Sequence, residues 1–161
     1  MCRSMNSGLK AGELFPVWHI RFESLISNAH TLYSSPTFTV TFGNVAIYYM
    51  LTGEQYASFH IMKSDELWHF YAGSSLTLYI IERNDRRLSK LILGADIDKG
   101  ESLQIVVKSC SWFAASVNDT SSYSLVGCTV SPGFDYRDWK LGDIKPLVTL
   151  YPQHHSIIER F

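Results

Sequence analysis

Residues Ser58 to Gly73, SFHIMKSDELWHFYAG, place two imidazoles and an Asp-Glu pair among aromatics within one short stretch. An imidazole titrates near neutrality, so His60 can hold a proton, release one, or bind a metal through a neutral nitrogen. Glu66 can act as a second acid–base group or as an oxygen ligand. Side chains alternate along a strand, so Ser58 and His60 share one face and Glu66, Trp68 and Phe70 share one face of the next strand. His69 has the opposite parity and is expected outside any site that Glu66 joins. A catalytic transition metal needs three or four converging ligands. One His, one Glu and a serine that ligates poorly fall short of that. A divalent metal would need help from elsewhere, with His19 and His30 as candidates.

Other residues have both a functional and a structural reading. Gln104, in SLQIVVK, is either a buried amide that orients a ligand or an edge residue facing solvent. Trp68, Phe70, Trp112 and Phe113 either wall a site for a sugar ring or apolar ligand, or simply fill the core. Cys128 has no cationic neighbour in sequence and reads as a small buried residue. Asp96-Ile97-Asp98-Lys99-Gly100 echoes a calcium loop but lacks the Glu twelve positions on, and so reads as a turn. His154-His155 belongs to a polar, solvent-facing tail.

The elements that must position these residues are almost all strands. Trp18, Ile20 and Phe22 alternate with polar residues, as do the Phe and Val of TFTVTF (37–42). VAIYYML (45–51) is a continuous β-branched and aromatic run, the pattern of a strand buried on both faces. QYASFHI and ELWHFYA follow. SLTLYIIE and RLSKLIL then flank the polar turn 83–87 as a hairpin, and SLQIVVK, CSWFAAS and SYSLVGCTV end at Pro132-Gly133. The single helix candidate is short and precedes Phe15. Short strands at this spacing predict a sandwich or closed barrel in one all-β domain spanning 1–161, with its core at about 17–150.

Composition narrows the function. Only 18% of residues are charged and 14% are aromatic, which favours an aromatic-rich β core over disorder. The net charge of −1 and the lack of a Lys/Arg run leave no patch for nucleic acid or an anionic membrane. No segment approaches the about 20 apolar residues of a membrane span, and the N-terminus does not read as a secretion signal. Cys2, Cys110 and Cys128 read as reduced thiols of a cytoplasmic protein. The sequon at Asn118 reads as coincidence in that setting.

These motifs resemble the cupin superfamily. Gly53 opens the pattern of its first motif, Ser58-x-His60 stands at the His-x-His pair, and Glu66 is followed by six residues to Gly73. GESLQIVVKSCSWFAA (100–115) has the length of the second motif. VAIYYML, FHIMKSDELWHFYAG, LGADIDKGESLQIVVK and SLVGCTVSPGFDYRDW are similar to the small single-domain cupins of unknown function. The resemblance implies a double-stranded β-helix jelly roll with a short N-terminal extension, a homodimer, and one small-molecule pocket inside the barrel. It implies no particular reaction, because one fold carries many.

Departures from the family pattern bear on the site. Pro16-Val17-Trp18-His19 replaces the family's Pro-Glu-Gly-Gly, and Lys108 and Cys110 replace a Pro and a Gly. Phe113 stands where metal-binding cupins have a third histidine. The resulting expectation is a metal-free cupin without cofactor, binding a ligand such as a sugar or nucleotide sugar near Ser58, Trp68, Phe70, Gln104, Trp112 and Phe113. The alternative is a sugar or nucleotide-sugar epimerase, with His60 as base, Glu66 orienting it, and as acid Tyr48, taken ahead of Tyr49 and Tyr71.

Overall fold

The computed structural model of the chain describes residues 21–22 and 43–161. Cys2, the helix candidate before Phe15, the 16–19 segment, His30 and the 37–42 strand lie outside the described residues. Ten strands are described: β1 (Arg21–Phe22), β2 (Val45–Thr52), β3 (Tyr56–Met62), β4 (Glu66–Gly73), β5 (Leu76–Ile81), β6 (Leu88–Leu93), β7 (Gln104–Val107), β8 (Trp112–Val117), β9 (Tyr123–Val130) and β10 (Trp139–Leu141). They form two five-stranded sheets, β1-β2-β9-β4-β7 and β10-β3-β8-β5-β6, paired antiparallel throughout. This is a jelly roll. The β5–β6 hairpin forms around the polar turn as its pattern predicts, with Ile81 opposite Leu88.

The main core lies between the sheets. Leu51, Trp68, Leu78, Ile80, Ile105, Phe113, Val126 and Cys128 meet there, all buried. A second cluster covers the back of the β3–β8–β5 sheet, where Phe59, Tyr79, Ile81 and Trp112 pack against Leu147, Tyr151, Ile158 and Phe161. Strands β5 and β8 are therefore buried on both faces along their whole length.

Leu147 and Ile158 belong to two helices absent from the sequence reading, α1 (Ile144–Leu150) and α2 (His155–Ile158), and Tyr151 and Phe161 follow them. The Asp143 carboxylate starts α1 by accepting from the Lys145 backbone N–H at 3.3 Å. Leu147 and Tyr151, four apart, then face the sheet. The 151–161 segment is thus an apolar clamp, although His154 and His155 themselves stay on its outer side. His154 Nε2 bonds to the Arg86 carbonyl oxygen at 2.8 Å.

Strand β2 also differs from its expectation. Val45, Ile47, Tyr49 and Leu51 face inward, whereas Ala46, Tyr48, Met50 and Thr52 are exposed. Its sheet is packed on one face only by the described residues, so the continuous apolar run alternates in space. The acidic loop resolves into a short 3-10 turn (Ile97–Lys99) closed by Gly100 at φ +83°, a left-handed conformation that glycine adopts freely. Asp96 pairs with Lys99 at 2.6 Å, as expected of a turn. No helix of the described residues is long and apolar enough to cross a membrane.

Candidate functional site

Strands β3 and β4 deliver His60 and Glu66 to the interior from opposite sheets. On β3 the register shifts between Ala57 and His60, a bulge that turns the following residues. His60 sits opposite Phe113 of β8, and its ring lies over that phenyl with centroids 4.0 Å apart. Its Nδ1–H donates to the Ser58 carbonyl at 2.7 Å, which leaves Nε2 as the unprotonated, accepting nitrogen of the neutral ring. Burial disfavours the imidazolium and pulls the pKa down to about 4, with the Ser58 bond opposing it. At neutral pH His60 is uncharged.

Glu66 begins β4 and points between the sheets, whereas the adjacent Asp65 points out. Asp65 accepts from Lys108 Nζ at 2.9 Å and the Ser109 backbone N–H at 2.8 Å, contacts that hold its carboxyl below the usual range. Among the described residues Glu66 pairs with no cation. Burial pushes its pKa up to about 7, opposed by the Cys128 thiol and the Trp68 indole beside it. Cys128 lies across β4–β9, opposite Trp68, with its thiol beside the Glu66 carboxyl. Burial first, and Glu66 second, hold the thiol well above its ordinary pKa. Cys128 is therefore an unreactive thiol.

The Trp68 indole N–H stands beside Glu66 but closes no hydrogen bond, and it is buried without a partner. An unmet buried donor costs about 1–3 kcal/mol, so this atom marks a place where a further polar group belongs. Tyr49, on the inward face of β2, packs edge-on against Trp68 with centroids 5.9 Å apart. Its hydroxyl is held protonated by burial, with Cys128 and Glu66 adding to the effect. Trp68 in turn meets Phe113 edge-on at 6.1 Å, and His60 lies 6.2 Å from the Trp139 ring. A continuous line of rings, Tyr49–Trp68–Phe113–His60–Trp139, crosses the interior.

The other expected site residues are distributed differently. Ser58 contributes its carbonyl, and Phe70 lines the interior, partly exposed. Trp112 faces away from Phe113, under the C-terminal helices, because neighbouring residues on one strand point to opposite faces. Tyr48 lies on the outer face of its sheet, against Tyr71 at 5.4 Å, so neither tyrosine shares a space with His60. Gln104 is exposed at the start of edge strand β7. Its Nε2 donates to His69 Nδ1 at 3.2 Å, and His69 Nε2–H then donates to Thr129 Oγ1 at 3.1 Å. The structure thus brings together His60, Glu66, Trp68, Phe70 and Phe113. Reading the sequence missed that Cys128 lies beside Glu66, since only the β4–β9 register reveals it. It put Tyr48 first as the acid, and this is corrected here: strand parity with Leu51 turns Tyr49 inward and Tyr48 outward.

The described donors do not by themselves make a transition-metal site. Among the described residues no group of three or more His, Cys, Asp and Glu side chains is placed to hold one. Phe113 instead fills the space beside His60 with an apolar ring. His19 and His30, the other possible ligands, lie outside the described residues. Of the three residues read as reduced thiols, Cys128 is free and buried, and Cys2 lies outside the described residues.

The family model described as "Cupin superfamily (DUF985)" matches residues 30–142. The chain belongs to this cupin family. A crystal structure of a protein from Shewanella oneidensis is 35% identical, with a TM-score of 0.71 over 80% of this chain and 81% of its own. A hypothetical protein from Leishmania major is 34% identical, with a TM-score of 0.70 over 73% of this chain and 75% of its own. A cupin 2 domain-containing protein from Halorhodospira halophila, 11% identical with a TM-score of 0.51 over 73% and 69%, shares the fold alone. No protein among the curated ones matches. Within this cupin, Cys110 takes φ +61°, a left-handed conformation that suits glycine better than any residue with a side chain.

Proposed function

We propose that this cupin binds an uncharged, ring-shaped small molecule of sugar type inside the barrel mouth, without a metal and without turnover. The observation that carries the reading is the unpartnered Trp68 N–H beside a carboxyl protonated up to about pH 7. Together they offer two donors, and His60 Nε2 offers an acceptor, among flat aromatic walls. Hydroxyl groups on a ring match that mixture of donors, acceptor and stacking faces. Ile47, Tyr49, Phe70 and Trp139 pack against the core yet keep partial exposure, which supports an opening on their side.

Charge favours a neutral ligand. No Lys or Arg is among the buried side chains described, so a phosphate would enter a low-dielectric space without a counter-ion. That weighs against a nucleotide sugar and for a free one. Binding without reaction is supported by His60, whose Nδ1–H is committed to Ser58 and which has no hydrogen bond to Glu66. The homodimer is part of the same proposal. The exposed outer face carrying Tyr48, Met50, Tyr71 and Val106 is the surface available to a second copy.

Thermal melting across a panel of free sugars and nucleotide sugars tests the reading. A ligand at 100 times its Kd adds about 2.7 kcal/mol, or about 5–10 °C at this chain length. Trp68→Phe should keep the fold and lose most of that shift. Stabilisation by nucleotide sugars alone, or by no sugar, would count against it.

One observation favours a second reading. A carboxyl with a pKa of about 7 is well matched to general acid catalysis at neutral pH, and Tyr49 is a second interior acid. An epimerase or isomerase using Glu66, Tyr49 and His60 would exchange a proton next to a sugar carbonyl with solvent.

A further inference from the structure

A surface cavity of about 200 Å³ lies where the β2–β3 turn, the end of β8 and the C-terminal residues meet. None of His60, Glu66 or Trp68 lines it, so it is separate from the barrel interior. Its feature is a guanidinium held in place. Arg160 donates from Nη1 to the Tyr79 hydroxyl at 3.2 Å and from Nη2 to Ser116 Oγ at 3.5 Å. Its central carbon sits 5.1 Å from the Phe161 ring centroid and 5.6 Å from that of Tyr79. These contacts fix the planar fork, and three of its five N–H donors remain for another acceptor.

The cavity also holds the opposite charge. Glu54, exposed on the turn, lines it, and none of the ion pairs among the described residues joins Glu54 to Arg160. Between them Tyr56 and Phe161 meet edge-on with centroids 5.4 Å apart, forming an apolar wall. The volume is below the about 300–1,000 Å³ of pockets for drug-sized molecules, so the occupant is the size of a single residue.

The geometry points to a binding site for a free α-amino acid with an apolar side chain. Its carboxylate would take the Arg160 fork, its ammonium would face Glu54, and its side chain would lie on Tyr56 and Phe161. A monovalent anion would use Arg160 alone and gain nothing from Glu54, which separates the two chemistries. Affinity should be weak, because both charges are near water and screened.

Saturation-transfer NMR on the full chain, with L-leucine, N-acetyl-L-leucine and L-leucinamide as probes, tests the assignment. Leucine should bind, and the two probes lacking one charge should bind about tenfold more weakly or not at all. Glu54→Gln, an exposed change that leaves the packing intact, should weaken leucine but not N-acetyl-leucine. Arg160→Gln should abolish both. No transfer to leucine at millimolar concentration, equal binding of all three probes, or indifference to Glu54→Gln would overturn the proposal.

Discussion

Glu66 and His60 should impose opposite pH dependences on stability, and removing one should expose the other. Glu66 has a pKa of about 7 in the fold against an ordinary value of 4.5. Its contribution is therefore full below pH 4.5 and is lost as pH rises through 7. At 1.36 kcal/mol per unit, that loss is about 3 kcal/mol. His60 has a pKa of about 4 against an ordinary 6.5. Its contribution is full above pH 6.5 and is lost as pH falls through 4, again about 3 kcal/mol. Between pH 4.5 and 6.5 the two slopes cancel and the protein should show a plateau. The exposed carboxylates with lowered pKa, Asp65, Asp96, Asp119 and Asp135, act below that window. Glu66→Gln should remove the falling limb, so stability then climbs with pH by about 2–3 kcal/mol between 4.5 and 6.5. Urea denaturation at half-unit pH steps measures this directly. A Glu66→Gln curve parallel to that of the unaltered protein would refute the reasoning, because Glu66 would then be ionised in the fold.

Three further outcomes are expected. Trp68→Phe should cost no more than about 1 kcal/mol, since it removes an unmet donor with the bulk of the ring, whereas Trp68→Ala should cost about 3–5 kcal/mol; equal costs by chemical denaturation would show the N–H to be bonded. Protein purified without chelator should carry far less than one equivalent of iron, manganese, nickel or zinc by elemental mass spectrometry, and Phe113→His should raise zinc uptake by adding an imidazole beside His60; a full equivalent in the unaltered protein, lost in His60→Gln, would refute the metal-free reading. Sedimentation should show a dimer that Met50→Lys together with Val106→Lys converts to monomer, with stability changed by less than about 0.5 kcal/mol per site; an unaltered dimer would move the interface off the outer sheet face.

Much of the fold was legible because period-2 patterns report directly on strands. Glu66, Trp68 and His69 fell on the faces that parity assigned, and the β5–β6 hairpin closed around its polar turn. Face burial was less legible. VAIYYML looks buried on both sides, yet Tyr48 and Met50 are exposed, since one strand's composition does not say what covers its sheet. The C-terminal clamp was missed because Leu147, Tyr151, Ile158 and Phe161 are apolar positions scattered among Gln, His and Glu, and only the tertiary contact selects them. The site needed cross-strand register. His60 over Phe113 and Cys128 against Glu66 join residues about fifty to sixty positions apart, which no local pattern pairs. Gln104 shows the same limit, since an amide in an apolar run is ambiguous until its strand is known to be an edge.

The most direct test of the central claim is proton NMR of free keto- and aldo-sugars with this cupin in deuterated water. Saturation transfer to an uncharged sugar, reduced by Trp68→Phe and unaccompanied by deuterium on its carbons, is the predicted result. Deuterium appearing next to the carbonyl, and lost in His60→Gln, would contradict it and assign the interior to acid–base catalysis.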